Sequence, residues 1–449
     1  MFPDDPTPSP RGRWAILAGV AFVAVAAAVS LGRVGAGPGV LQTIWAEDGT
    51  YFLSDALNRP VLETIFRPIN GYYLVVPRLA AIPAGLVPLE WAPAVLSIEA
   101  AILTALLALL VYVASRSHLQ TVLGRLVAAA PILAVPVGEN VMAATANNVA
   151  TLQFTAVYAT MWALLWTPGT RSGRVSAVVV VVGTAVTTFL SVLLLPLALL
   201  RLYARRDRLS LLMVGALTAG AVMNIVALTL GLTARPGFLV PRYDPVWALA
   251  STYDYLLPYA MFGYRLANGD GFLEAYPDLI NAAAAAILVA VVVYAALRVR
   301  PNWLLAAVFL AHAVLVYCAS VMSTGGLTLR YVVAPELMLF AALAILLHTP
   351  TGSRLGNQAR NGVPIAVLAV YVALVSAISY STVTARTLQR QSWASLVGAA
   401  RTVCQDPTLD GVYVYPHLNG QIDAIARGTP VAETPPAGWP VRLPCDRLR

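Results

Sequence analysis

Apolar stretches of about 18 residues or more recur along this chain, and each is long enough to cross a bilayer as a helix. That recurrence constrains the fold more than any motif does. Of 449 residues, 59% are hydrophobic and 11% charged, whereas a soluble chain is about a quarter charged. Water is therefore not the main solvent. All 29 basic residues are arginine and the net charge is +8. The absence of lysine fits the coding bias of a GC-rich bacterium. The arginines lie in short loops between apolar runs, where they set membrane orientation; they do not imply a nucleic-acid partner. The four histidines form no cluster, and no Cys spacing suggests a metal. Cys318 lies in an apolar run, while Cys404 and Cys445 lie in the polar tail.

The stretch Trp14 to Leu31 follows Arg11 and Arg13 and spans about 27 Å as a helix. No Ala-x-Ala cleavage site follows it, so it reads as a retained first helix with a cytoplasmic N-terminus at 1–13. The segment 34–90 is a long outer loop. It carries Trp45-Ala46-Glu47-Asp48-Gly49, an amphipathic stretch from Tyr51 to Leu57, a turn at Arg67-Pro68-Ile69-Asn70, and an interfacial or re-entrant run at 74–88. Further helices are expected at 91–114, 122–137, 149–166, 209–232, 279–297, 302–320, 331–348 and 364–385. The block 175–200 is too short for two full crossings, yet arginines flank both ends. Two short helices joined near Thr187-Thr188 resolve this, provided their turn is buried in protein. The reading is an all-α integral membrane protein with about 9–11 transmembrane helices over 14–385. A small extracytoplasmic tail follows at 386–449, on the oxidising side, where a Cys404–Cys445 disulfide is plausible.

Ionisable side chains are costly in lipid, at about 2.5–3.5 kcal/mol each on insertion scales. In this topology several converge on the outer face: Glu47, Asp48, Arg67, Asn70, Arg78, Glu139, Asn140, Asn147, Asn148, Arg242, Asp244, Arg330 and Tyr331. Together they suit a polar cavity at the outer leaflet. Each also has a structural alternative. Glu47-Asp48 fits a helix cap, as does Glu139 with its neighbouring asparagines. Arg330-Tyr331 fits an interfacial anchor, and Arg78 fits a snorkelling side chain.

Four features, in this order and on one side, resemble the GT-C class of membrane glycosyltransferases. They are the Trp45-Ala46-Glu47-Asp48-Gly49 carboxylate motif, the interfacial helices after it, Gly138-Glu139-Asn140 with Asn147-Asn148, and Leu329-Arg330-Tyr331-Val332-Val333-Ala334-Pro335 leading into a late helix. The chain departs from the class in two ways. Many members carry Asp-Glu or a lone Asp where Glu47-Asp48 stands, and the large soluble domain of the oligosaccharyltransferases is missing.

The resemblance implies transfer of a sugar from a polyprenyl-phosphate carrier to a glycan or protein acceptor, with inversion, at the outer face of the bacterial plasma membrane. Asp48 would be the base, with Glu47 orienting it, binding sugar hydroxyls or taking the role itself. Arg330, with Arg78 or Arg242, would hold the phosphate. Trp45 and Tyr331 would stack on sugar or prenyl chain, and Arg67, Asn70, Glu139, Asn140 and Asn148 would complete the substrate site. The resemblance fixes no cofactor; the acids are compatible with a divalent cation, but no ligand spacing demands one. A transporter or flippase for lipid-linked sugars and a scaffold subunit of an envelope complex are the alternatives.

Overall fold

The computed structural model describes residues 1–4, 13–35, 37–69, 71–140, 145–232, 240–268, 276–348, 362–380, 384, 386–418, 420–430 and 436–449. Five helical segments in it are long and apolar enough to cross a membrane: Leu89–Ser117, Arg208–Thr229, Pro277–Arg298, Trp303–Thr324 and Leu329–Leu347. Shorter apolar helices accompany them, so the chain has the build of a multi-pass membrane protein. In chain order the helices are α1 (Arg13–Gly32), α2 (Ser54–Asn58), α3 (Val61–Ile65), α4 (Val75–Leu86), α5 (Ala92–Ala114), α6 (Val122–Ala129), α7 (Leu152–Leu165), α8 (Arg171–Ala185), α9 (Leu195–Arg205), α10 (Arg208–Thr229), α11 (Pro245–Ser251), α12 (Leu257–Ala267), α13 (Pro277–Arg298), α14 (Trp303–Thr324), α15 (Val333–Leu347), α16 (Val363–Ile378) and α17 (Trp393–Val403).

The apolar pattern decides which helix sits where. Every residue of α15 is buried, and a helix apolar on every side but for one acid, Glu336, belongs at the centre of a bundle. It packs against α6, α7, α12, α13, α14 and α16. By contrast, α1 exposes Trp14, Ile16, Leu17, Val20 and Val25, a surface suited to acyl chains. Its other face lies on α5, where buried Ala101 and Ala105 meet Ala26 and Ala27. Small residues let the two backbones approach closely, as membrane helices require.

The block 175–200 folds as two short helices, α8 and α9, with a tight turn and a 3₁₀ segment (Phe189–Leu194) between them. Thr187 and Thr188 in the turn are buried. The Thr187 hydroxyl accepts from the Val76 N–H at 3.2 Å, and Thr184 bonds Thr160 at 2.8 Å. The turn therefore meets α4 and α7 rather than lipid, and the N–H groups of Thr187 and Thr188 donate to the Thr184 carbonyl at 3.1 and 3.0 Å. Ser191 is fully buried and donates to the Thr188 carbonyl at 2.8 Å. Gly220 of α10 lies against the Ala185 carbonyl so closely that any Cβ would collide with it. One residue type at 220 thus sets the α8–α10 spacing.

The expectation of an all-α protein needs correction in the tail. Residues Leu409–Tyr415 (β1), Gln421–Ala426 (β2) and Val441–Pro444 (β3) form an antiparallel sheet in the order β2-β1-β3. Alternation in β1 turns Val412 and Val414 inward. The edge strand β3 would expose unpaired backbone. Instead the Arg442 N–H donates to the Ser54 hydroxyl at 3.0 Å, and the Arg442 carbonyl accepts from Asn58 Nδ2 at 3.0 Å. The first loop thus covers the sheet edge. One apolar core joins the two regions, with Ile44, Trp45, Phe52 and Leu53 packing among Trp393, Leu396, Val412, Val441 and Leu443. A disulfide links Cys404 to Cys445, with Cα atoms 5.2 Å apart, and fixes the end of α17 to the end of β3. The loop 233–278 also holds α11 and α12, whose short aromatic- and Pro-containing sequences carry no transmembrane signature.

Candidate active site

The residue leading into α15 meets the residue leading into the first-loop helix. Arg330 donates through Nη1 to Glu47 Oε1 at 2.8 Å. Neither partner is sealed off: the side chains are 28% and 18% exposed. Glu47 Oε2 and Arg330 Nε are buried and have no hydrogen-bond partner, so each side of this partly exposed pair holds one unsatisfied polar atom beneath its surface. The guanidinium lies over the Tyr331 ring, 5.7 Å from its centroid, and Tyr331 meets Phe154 edge-on at 5.9 Å. This clamps the Arg330 head, since stacking fixes the plane of its donor fork.

Two tyrosines sense the same charges. Burial raises the Tyr72 hydroxyl pKa; Tyr331 adds to the rise, while a hydrogen bond with Gln153 and the Arg330 charge oppose it. Burial also raises Tyr51, with the Glu47 charge as the next contribution. Tyr51 lies in a π-helical turn, Asp48–Leu53, a conformation that recurs at functional sites. Its ring meets the Trp439 ring edge-on, 6.2 Å between centroids. Trp439 has a φ of 57° and Gly438 a φ of 93°. A bulky residue in the left-handed region is uncommon, and here the two-residue kink brings an indole from the tail beside the first loop.

The neighbouring acid is placed quite differently. Asp48 is 2% exposed. Its two oxygens accept from the backbone N–H groups of Val149 and Ala150 at 3.0 and 3.1 Å. Burial pushes its carboxyl up to about 7, against the pull of the Val149 amide, the Arg386 charge and the Ala150 amide. Glu139 has a similar position: it accepts from Thr145 N at 2.6 Å, from Thr145 Oγ1 at 3.3 Å and from the Ala146 N–H. Asn148 accepts from the Thr151 N–H at 2.9 Å and donates to the Ala146 carbonyl at 3.2 Å. Asn147 ties the turn to Ser30 of α1. Asn140 is half-buried beside them. These side chains brace the turn that precedes α7.

Arg386 holds this brace together, and the sequence reading did not single it out. It is buried and donates to Thr43 Oγ1 at 3.0 Å, to the carbonyls of Asn147, Val40 and Thr43 at 2.6, 2.7 and 3.0 Å, and to Ser97 Oγ. Burial lowers its pKa to about 10, with Asp48 and Glu139 countering. One signal existed: an arginine at the acid-bearing end runs against the positive-inside pattern. Glu336 was also overlooked. It is fully buried one turn into α15 with the Arg33 charge facing it, and an acid inside an apolar run was its signal.

The remaining arginines divide between two places. Arg67 and Arg78 converge with Arg59 on Asp55, at 2.5, 2.8 and 3.1 Å. Arg78 is fully buried, lies over the Phe52 ring at 5.6 Å and leaves Nε and Nη2 without partners. It is a buried ion-pair member, not a snorkelling side chain. Asp55 was legible only as the residue four before Arg59. Arg59 also pairs with Glu63. Arg242 sits apart: it pairs with Asp244 at 3.0 Å and stacks on Trp247 at 4.3 Å, at the start of α11. Trp45 is buried in the shared core, edge-on to His417 at 6.3 Å, with its Nε1 unpartnered. Asn70 lies outside the described residues. Among the described residues no three His, Cys, Asp or Glu side chains are grouped to hold a metal ion.

The fold and site define a multi-pass membrane protein with a partly open acid–arginine pair at one end of its bundle. No protein-family model matches the chain, and no curated protein matches it either.

Proposed function

We propose that the chain is a membrane glycosyltransferase of GT-C type that moves a sugar from a polyprenyl-phosphate carrier to an acceptor hydroxyl. The observation that carries this reading is the Glu47–Arg330 pair, in which each partner keeps an unsatisfied polar atom. Transfer with inversion needs a base for the acceptor proton and positive charge for the leaving phosphate. The Glu47 carboxylate takes the acceptor proton as the acceptor oxygen bonds to the anomeric carbon. The bond from that carbon to the phosphate oxygen breaks, and Arg330 receives the charge that develops on the phosphate. Tyr51 and Trp439 offer aromatic faces to the sugar.

Glu47 is preferred to Asp48 as the base because Asp48 is closed off by two backbone amides. Asp48 is then a positioning residue, holding the π-helical turn against the start of α7.

Orientation follows from charge. Arg116, Arg125, Arg171, Arg174, Arg298 and Arg300 flank helix ends remote in sequence from the Glu47 loop, and the positive-inside rule assigns such ends to the cytoplasm. The disulfide supports an oxidising location for the tail. Both observations support a site on the outer face of a bacterial plasma membrane. The test is transfer from a mass-tagged polyprenyl-phosphate sugar in membranes carrying Glu47→Gln. Gln still accepts from Arg330 but cannot take a proton, so the rate should fall at least about 100-fold. A wild-type rate would remove Glu47 as the base. Movement of the labelled carrier across the bilayer without transfer would identify a transporter.

A further inference from the structure

A second polar site lies in the turn between α9 and α10, where only Arg206 and Asp207 separate the helices. Arg206 ends α9 in the left-handed region, with φ 50° and ψ 34°. Asp207 caps α10 by accepting from the Ser210 N–H at 2.7 Å, and its charge faces Arg201 and Arg205. Those two arginines have other partners. Arg201 donates to the Leu164 and Trp166 carbonyls, both at 2.6 Å, and to Ser210; Arg205 pairs with Asp4. Arg206 and Arg208 are exposed and have no acid partner among the described residues. They border an open groove of about 370 Å³ that Leu202, Tyr203, Asp207 and Leu211 complete. Arg206 lies over the Tyr203 ring at 5.8 Å.

The flanks of the groove are apolar. Tyr203 and Leu211 are 74% and 60% exposed, and Leu199, Leu200 and Leu212 are exposed beside them. On helices packed into a membrane bundle such side chains face acyl chains. Two unpaired guanidinium groups thus stand at the polar edge of a surface made for lipid tails.

We propose that this groove binds the phosphate headgroup of an anionic phospholipid, held between Arg206 and Arg208 while its acyl chains lie along Leu199 and Leu211. Charge complementarity selects the occupant, since basic pockets between membrane helices hold anionic headgroups, and guanidinium forks match phosphate oxygens. The one acid in the groove lining, Asp207, is engaged by the α10 amide and the neighbouring arginines, so it does not repel the phosphate fully.

The test is native mass spectrometry of the full chain in detergent, titrated with dioleoyl phosphatidylglycerol or dioleoyl phosphatidylcholine. The wild type should hold phosphatidylglycerol saturably and in preference to phosphatidylcholine. The double variant Arg206→Asn with Arg208→Gln should weaken that affinity about 30-fold; Asn is chosen because it tolerates the left-handed backbone. Arg298→Gln with Arg300→Gln, elsewhere in the sequence, should leave it unchanged. Equal binding of phosphatidylcholine, or full affinity in the groove variant, would overturn the proposal. So would displacement of the lipid by millimolar inorganic phosphate, which would mark a free-phosphate site. Should the double variant lose its fold, Arg208→Gln alone carries the test, with about a fivefold loss expected.

Discussion

Glu47 and Asp48 are adjacent in sequence, yet one keeps a free oxygen beside Arg330 and the other is sealed by two backbone amides. Sequence alone showed that two acids would reach this end of the bundle. It could not show which amides, about a hundred residues further on, would meet which carboxylate. Three residues make this separation testable. Because Asp48 has a folded-state pKa near 7, well above the usual carboxylate value, the fold holds a proton that the unfolded chain has released. Its stabilising contribution is full below about pH 4 and is lost as pH rises through 7. The thermal midpoint in detergent should fall over that window, and Asp48→Asn should flatten the slope; an unchanged slope would remove Asp48 as its source. Arg386→Met should cost about 3–5 kcal/mol, because it strands buried acids and carbonyls. Arg330→Lys should leave the midpoint nearly unchanged while lowering transfer, since lysine keeps the charge but loses the planar fork.

At the level of elements, legibility followed polarity. The long helices were readable because lipid demands an unbroken apolar run, and α5, α10, α13 and α14 fall within a few residues of the expected ranges. The α8–α9 hairpin was readable from a conflict: too few residues for two crossings, yet arginines at both ends. The helices α11 and α12 were hidden, because short elements in polar, aromatic sequence carry no strong period, whereas the strand-like run Val412-Tyr413-Val414-Tyr415 in the tail lies in β1. The hairpin turn also depends on a side chain that no pattern predicts. Thr187→Val should remove the side-chain partner of the half-buried Val76 N–H and cost about 1 kcal/mol. A thermal midpoint equal to wild type would show that this hydrogen bond contributes nothing.

In the whole molecule the first loop and the tail share one apolar core, so the tail is part of the site's foundation and not an appendage. The Cys404–Cys445 bond closes a loop with a sequence separation of 41 residues, worth about 4 kcal/mol in the chain-entropy view. Reduction should therefore lower the thermal midpoint and transfer together; loss of neither would show that the core alone fixes the tail. The shared core also dictates when the protein becomes competent. Ile44 leaves the ribosome long before Gln389, its hydrogen-bonding partner 345 residues later. The helices between them must be threaded into the bilayer while Glu47 waits on an unfinished support. A nascent or truncated chain would carry both its acid and its arginine and still lack the wall that sets them in place, so synthesis itself acts as the lock on premature activity.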